Sequence, residues 1–558
     1  MKDHHRRKRG GGGGGVLYGW RRFFLFSLSL FIVSSFAFSP SLRIFRDSFR
    51  PVLLSTLPNP PPLSATTTHI DRPLLEIRNL EIREAVNLPD QTLLFLKHPP
   101  NSSIFTNSAV LCAYYGSSPS HHVPPLSLDS QILRCPSPPR GFLISLLQSN
   151  GPDHQPPMLP LHWTSLAYEA LIDDKDNTTV LFVKGLNLRP ERLADASRFA
   201  CVYGWDFSRP KYLLSSIAVS VAQEIVRCRT PLSILNPNPN PNPNPVKVSV
   251  MVRPARAPPF VLPSVARPTP LPPPPAAAAA HALCACTMLR NQARFLREWV
   301  TYHARVGVGR WFVYDNNSDD GLESTVASLV ASGFEVTRHA WPWVKTQEAG
   351  FAHCALRARQ ARCAWVAFTD VDEFIYLPNV NQTRSPAPMP EMLARLPRMV
   401  GEARVSCHSF GPSGRRRAPT RGVTVGYTCR LTSPERHKSI VRPEALDGSL
   451  VNVVHHFRLG DGYRYENLER AEVVVNHYKY QAWEVFKEKF YRRVATYVSD
   501  WREKGNEGSK DRAPGLGTVA VQPPDWARRF CEVRDTGLRD WVVREFADPR
   551  TGRLAWEV

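Results

Sequence analysis

Two hydrophobic runs of this chain end in carboxylates. GRWFVYD stops at Asp315, followed by Asn316-Asn317-Ser318-Asp319-Asp320, and RCAWVAFTD stops at Asp370, followed by Val371-Asp372-Glu373. Carboxylate oxygens suit Mg2+ or Mn2+, and such an ion can bridge a diphosphate and stabilise a departing nucleotide. An Asp-x-Asp alone is weak, since chance supplies about one in a chain of this length. Its position gives it weight: a buried strand delivers both charges to the sheet edge where open α/β folds bind ligands. A solvated loop or a helix cap is the competing reading.

The surrounding pattern supplies such a sheet. ALCACTML reads as a buried strand from Leu283, and Asn291 as the cap of a helix with Leu296, Trp299, Val300 and His303 on one face. GRWFVYD, SDDGLESTVASLVASG, FEVTRHAW, QEAGFAHCALRARQA and RCAWVAFTD then alternate strand and helix, with Ser318 or Asp319 capping the second helix and Gly333 ending it. Such alternation predicts a mostly parallel sheet covered by helices. Trp483, Phe486, Phe490, Val494, Tyr497 and Trp501 recur at helical spacing and read as core packing.

Upstream, the composition changes in steps. Residues 1–22 form a basic, Gly-rich tail, and Phe23–Leu42 is a run of twenty uncharged residues, long enough to cross a bilayer. The stronger positive cluster precedes it, which predicts a cytosolic N-terminus and a luminal remainder; a cleaved signal peptide is the rival. Residues 43–69 read as a Pro/Ser/Thr-rich stem. Residues 70–231, with TLLFLKH, SAVLCAYYG and TTVLFVKGLNL, read as a mainly β module in which Trp163 and Trp205 are core aromatics or sugar-stacking platforms. Residues 232–281 carry NPNPNPNPNP and PPPPAAAAA and read as a linker or disordered insertion, with VKVSVMV as one strand that could join either neighbour. Residues 282–550 form the α/β domain.

The charge of +21 comes in part from the tail, and no zinc-finger or RNA-binding signature accompanies it, so nucleic acid is not the expected partner. Eleven cysteines fit an oxidising lumen and leave at least one unpaired. Cys284 and Cys286 are expected on opposite faces of a strand, which argues against a zinc site there. Sequons start at Asn101, Asn177, Asn316 and Asn381; Asn316 lies beside the expected site and should be unmodified. The sequence leaves open whether the chain forms a homodimer.

Five segments together resemble glycosyltransferase family 92, and within it the plant β-1,4-galactan synthases: REWVTYHARVGVGRWFVYDNNSDDG (297–321), WPWVKTQEAGFAHCALRAR (341–359), WVAFTDVDEFIYLP (365–378), PERHKSIVRPEAL with VNVVHHF (434–457), and VVVNHYKYQAWEVFKEKFYRRV (473–494). The resemblance spans about residues 283–545. It implies a GT-A (Rossmann-like) catalytic domain after an N-terminal anchor and a carbohydrate-binding β module, in the Golgi membrane. It also implies UDP-galactose as donor, Mn2+ or Mg2+ as cofactor, a galactan or pectic acceptor, and inversion at the sugar carbon. The Asn-Pro insertion departs from a compact linker.

Carried onto this chain, the resemblance makes Asp370 and Asp372 the metal and diphosphate pair and Asp315 a uridine contact. His477 becomes the late metal ligand, with His455-His456 as the alternative. Lys438 and Arg442 become donors to the diphosphate, and Arg290 and Lys345 weaker candidates of the same kind, while Gln347 and His353 line the donor pocket. An inverting displacement needs a carboxylate base near the metal. Glu435 is expected in that role, with Asp447 and Asp461 as alternatives. Glu373 follows the metal pair, with its side chain expected to point away.

Overall fold

The computed structural model describes residues 80–557, apart from 98–109, 117–120, 130, 139–140, 149–155, 187, 189–191, 210–212, 237–245, 273–280, 380–386, 454 and 498–520. The expected tail, membrane anchor and stem, with Asn101, Asn381 and Trp501, lie outside the described residues. Among the described residues, no helix is long and apolar enough to cross a membrane.

Residues 77–558 form one unit. Its N-terminal part is built of strands. A five-stranded sheet runs in the order 127–129, 132–136, 91–96, 82–87, 161–162, and a three-stranded sheet in the order 121–123, 110–115, 143–148. The Cys112–Cys135 disulfide joins these two sheets. A larger eight-stranded sheet includes Leu166–Asp173, Thr178–Lys184 and Phe199–Gly204, with Cys201 bonded to Cys228. Part of the segment expected as linker belongs here. Lys247–Val252 pairs antiparallel with Phe199–Gly204, and Pro268–Pro270 pairs with Leu166–Asp173. The alternation in VKVSVMV marks a strand whose middle, Val248–Val250, is buried on both faces, and the prolines of 268–270 sit at the sheet edge, where no ladder donor is needed.

The expected α/β pattern follows. Strands β1 (Cys284–Leu289), β2 (Arg310–Asp315), β3 (Val336–Ala340) and β4 (Val366–Phe368) alternate with helices α1 (Ala293–Val306), α2 (Leu322–Ala331) and α3 (Gln347–Gln360). The sheet continues through β5 (Glu373–Tyr376), β6 (Val400–Ser409), β7 (Arg436–Val441), β8 (Arg464–Asn467) and β9 (Val474–His477), and is followed by α4 (Trp483–Tyr497). Its order is β3-β2-β1-β4-β7-β6-β9-β5, with β8 also beside β6. The first four strands are mutually parallel; β7 is antiparallel to β4 and β6, and β5 to β9. The sheet is therefore mixed.

Local chemistry sets the boundaries. Helix α1 buries Leu296, Trp299, Val300 and His303 and ends at Gly307, whose φ of 113° suits glycine. Its cap is not Asn291: the Asp320 carboxylate accepts the Ala293 N–H at 2.7 Å, and Asn291 Oδ1 accepts the Asp319 N–H at 2.7 Å. Two adjoining loops thus cap each other. Helix α2 starts after Gly321 rather than Ser318 or Asp319, and Gly333 follows its end at φ 90°.

Cys284 bonds Cys363 and Cys286 bonds Cys354, both on the α3 side of β1. This corrects the expectation of opposite faces, because residues two apart in a strand share a face. Cys429–Cys531 is the fifth disulfide, and Cys407 remains a buried thiol. Asn316 is buried and donates to the carbonyls of Trp341 and Trp343, which leaves its amide no room for a glycan.

Candidate active site

The site is assembled where β4 ends. Backbone turns after Phe368, and Asp370, Asp372 and Glu373 follow within four residues, with the Glu373 N–H bonded to the Asp370 carbonyl at 3.0 Å. Strand β9 runs beside β5 so that His477 stands opposite Glu373, and Ser409 of β6 stands opposite His477 from the other side. Two strands distant in sequence thereby carry an imidazole to the carboxylates.

His477 lies between two of them: Nε2 is 3.7 Å from Asp372 Oδ2 and Nδ1 is 3.6 Å from Glu373 Oε1. Lys489 of α4 reaches the same place, its ammonium 2.5 Å from Asp372 Oδ2 and 3.4 Å from His477 Nε2. Burial drives the His477 imidazole down to about 3 against the pull of Asp372, so the ring is neutral at physiological pH and can offer a lone pair. Burial pushes the Asp372 carboxyl up, but Lys489 and His477 outweigh it and hold the carboxyl well below the usual range. An ionised carboxylate and a neutral imidazole therefore already share one cation, the lysine ammonium. That donor set suits a divalent metal.

Glu373 does not point away. It is fully buried, accepts the Asp370 N–H at 3.0 Å, and pairs with Lys438 at 2.5 Å. Burial raises its carboxyl to about 7, with Asp370 and Asp372 adding to the effect and Lys438 opposing it. Lys438 also meets His455 Nε2 at 2.8 Å. Ligating atoms of Asp370, Glu373 and His455 lie within 4.8 Å of one another, as do those of Glu373, Cys407 and His477. Both histidine motifs therefore border the carboxylates. Lys438 is a buried counter-ion beneath them, not a group facing an open diphosphate site.

The remaining expected residues are spread more widely. Arg442 is at the wrong end of the sheet: β7 runs antiparallel to β4, with Val441 opposite Val366, so Lys438 arrives near Asp370 while Arg442 arrives near Trp365. There its guanidinium stacks on Trp365 at 4.1 Å and donates to the Val400 carbonyl at 3.0 Å. Asp315 is buried, accepting the Ser318 N–H at 2.9 Å and Arg338 Nε at 2.9 Å. Arg338 also pairs with Asp129 of the β module at 2.5 Å, and Arg134 of the module pairs with Asp319 at 2.7 Å. These residues border a cavity of about 280 Å3. Arg290 faces Asp90 of the module at 3.4 Å. Lys345, at φ 57°, lines a different cavity of about 430 Å3 with Trp163, Lys184 and Glu224. Gln347 opens α3. His353 is buried in a stack with His339 and Trp341, bonded to the Tyr314 hydroxyl, and is a core residue.

Glu435 lies beside the cluster, bonded to Ser409 Oγ, to Lys479 Nζ at 2.9 Å and to the Tyr480 hydroxyl at 3.3 Å. Burial raises its carboxyl, and the Ser409 hydrogen bond and Lys479 more than reverse the effect, so it is lowered overall. Asp447 accepts from Ser449 within its own turn. Two residues of the cluster escaped sequence reasoning. Glu373 was expected to point away because neighbours in a strand alternate faces, and the turn from Asp370 to Glu373 brings its carboxylate back onto the Asp370 N–H. Lys489 sits in an aromatic helix and carries no local signal.

The sequence profile of glycosyltransferase family 92 matches residues 279–509. A glycosyltransferase family 92 protein of Ricinus communis is 50% identical over 550 residues, covering 97% of this chain and 98% of that protein. Another, of Oryza sativa subsp. japonica, is 47% identical, covering 91% of this chain and 89% of that protein. Among solved structures, mannosyltransferase PcManGT from Pyrobaculum calidifontis, in complex with GDP-Man and Mn2+, aligns at 15% identity over 44% of this chain and 68% of that chain, with a TM-score of 0.24, too low to carry an argument. Sequence identity sustained over nearly the whole length decides the matter: the chain belongs to glycosyltransferase family 92.

Proposed function

We propose that the protein is a metal-dependent inverting galactosyltransferase of GT-A architecture that moves galactose from UDP-galactose to β-1,4-galactan chains in the Golgi lumen. The observation that carries this reading is the meeting of Asp372 and a neutral His477 at one cation position at the sheet edge, with Asp370 two residues earlier beside Glu373 and His455. When bound there, Mn2+ or Mg2+ would neutralise the diphosphate of the leaving UDP. Asp370 and Asp372 orient and charge that position, His477 supplies a neutral nitrogen, and Glu373 holds the Asp370 turn in place. Glu435 remains the proposed base; three donors keep it ionised and ready to accept a proton, at the cost of some basicity. The five disulfides support an oxidising compartment, and the apolar run 23–42 supports a membrane anchor.

The test is a donor panel on the purified protein with Mn2+ and a galacto-oligosaccharide acceptor. UDP release with acceptor lengthening from UDP-galactose alone supports the proposal. Turnover with another donor only would assign a different sugar, and glycan binding without turnover on any donor would reduce the protein to a binding role. Glu435→Gln is expected to bind donor normally and to lose transfer by about 10²–10⁴-fold. Near-parental turnover in that variant would remove Glu435 from the base role.

A further inference from the structure

Strand β7 has two working faces. Lys438 points to the catalytic carboxylates, so its neighbours His437 and Ser439 point to the other side of the sheet. His456 parts from His455 in the same way. On that rear face His437 and His456 meet with ring centroids 4.1 Å apart. Glu402 of β6 joins them, its Oε1 3.2 Å from His456 Nδ1, and Ser439 Oγ lies 2.6 Å from the same nitrogen. Ligating atoms of Glu402, His437 and His456 all lie within 4.8 Å of one another.

Ser439 Oγ also donates to Glu402 Oε1, so hydrogen bonds account for Glu402 and His456 but not for His437. Among the described residues, His437 Nε2 is buried with no hydrogen-bond partner. A buried polar atom left unpaired costs about 1–3 kcal/mol. Glu402 is held from behind, its other oxygen 3.0 Å from Arg404, whose guanidinium stacks on Tyr465 at 3.5 Å. Such outer contacts are how proteins orient a ligating carboxylate. Burial, with His456 and Arg404 adding to it, lowers the His437 imidazole to about 4, so it is neutral near pH 7.

We infer that Glu402, His437 and His456 form a second metal site, distinct from the catalytic carboxylates, that takes Zn2+. Two imidazoles and one carboxylate are a zinc-type donor set, with Ser439 Oγ or water for the fourth position. Bonds of about 2.0–2.2 Å require the three side chains to draw in by about an ångström. His456 is partly exposed, which gives the ion a path in. The ion would tie β6 to β7 and to the 456–457 strand, directly behind Lys438 and His455.

The test separates this site from the catalytic one by using Asp370→Asn/Asp372→Asn/His477→Gln as background, which breaks both ligand groups around the carboxylates. After chelation and dialysis against Zn2+, that full-length variant should retain about one zinc per chain by mass spectrometry, as expected for a site with its own ligand set. Adding His437→Gln or Glu402→Gln should abolish that retention. Co2+ in the background variant should give the strong visible absorption of a tetrahedral site, a measurement that does not depend on the added substitutions folding. No retained zinc and no tetrahedral cobalt spectrum in the background variant, or equal zinc with and without His437, would overturn the inference.

Discussion

Asp372 and His477 already share a cation, and that fact sets two expectations. Under the proposed function, Asp370→Asn with Asp372→Asn should lower turnover by at least about two to three orders of magnitude, since metal stabilisation of a leaving group is worth several kcal/mol. Steady-state UDP release with saturating Mn2+ measures this, and unchanged release would mean the pair is not the metal site. Lys489 competes for the same position. Lys489→Met should therefore tighten donor-free Mn2+ binding by about tenfold, the equivalent of about 1.4 kcal/mol. Titration calorimetry reads this directly; weaker binding would show that Lys489 supports the ion's position instead. The place of Asp370 and Asp372 just beyond β4 was legible in the sequence because a hydrophobic strand runs straight towards them. Lys489 was not, because it lies 117 residues beyond Asp372 and only the packing of α4 brings it back.

At the scale of elements, the loop carrying the carboxylates is braced from below by α1. His303 Nδ1–H donates to the Trp299 carbonyl at 2.8 Å, and its Nε2 accepts the Ile375 N–H of β5 at 3.3 Å. Both nitrogens are used in the neutral form, and a second proton would turn Nε2 against another donor. Burial lowers this imidazole from 6.5 to about 4. Below pH 6.5 the unfolded chain takes up a proton that the folded chain refuses, so stability falls as pH drops from about 6.5 towards 4. The loss approaches about 3 kcal/mol from this residue alone. Urea denaturation at pH 7.5 and pH 5 should show the fall, and His303→Gln should reduce its slope; an unchanged slope would exclude His303 as a source. The helical stripe that buries His303 was readable from periodicity. Its contact with β5 was not, and neither was the end of β7 that Arg442 occupies, because sequence spacing does not state whether a strand runs parallel or antiparallel to its neighbour.

At the scale of the whole molecule, the β module and the α/β part share a core. Phe95, Tyr168 and Phe182 of the module pack with Trp341, Trp343 and Phe351 of the α/β part. Asp173, buried on a module strand, pairs with Arg227 at 2.8 Å and with Arg359 of α3. Asp173→Ala should cost about 3 kcal/mol, because it takes the carboxylate from the part-buried Arg359 while Arg227 keeps Asp176 at 3.2 Å. A lowered denaturant midpoint with one transition, followed by both near- and far-ultraviolet dichroism, is expected; two separated transitions would show that the parts unfold independently. The strands themselves were legible from their alternation. Their lodging against the α/β sheet was not, since apolar residues on both partners look like ordinary core until the partner is known.

That seam also constrains heredity. A hybrid gene taking its first half from one relative and its second from another inherits two surfaces that never adjusted to each other. Mismatched volumes around Tyr168 and Trp343 would be felt within packing distance of α3, which one disulfide ties to β1 from within the helix and a second from the loop that follows it. Recombination within the family is therefore expected to succeed where both sides of this contact travel together, and domain shuffling at the proline-rich segment between them to fail.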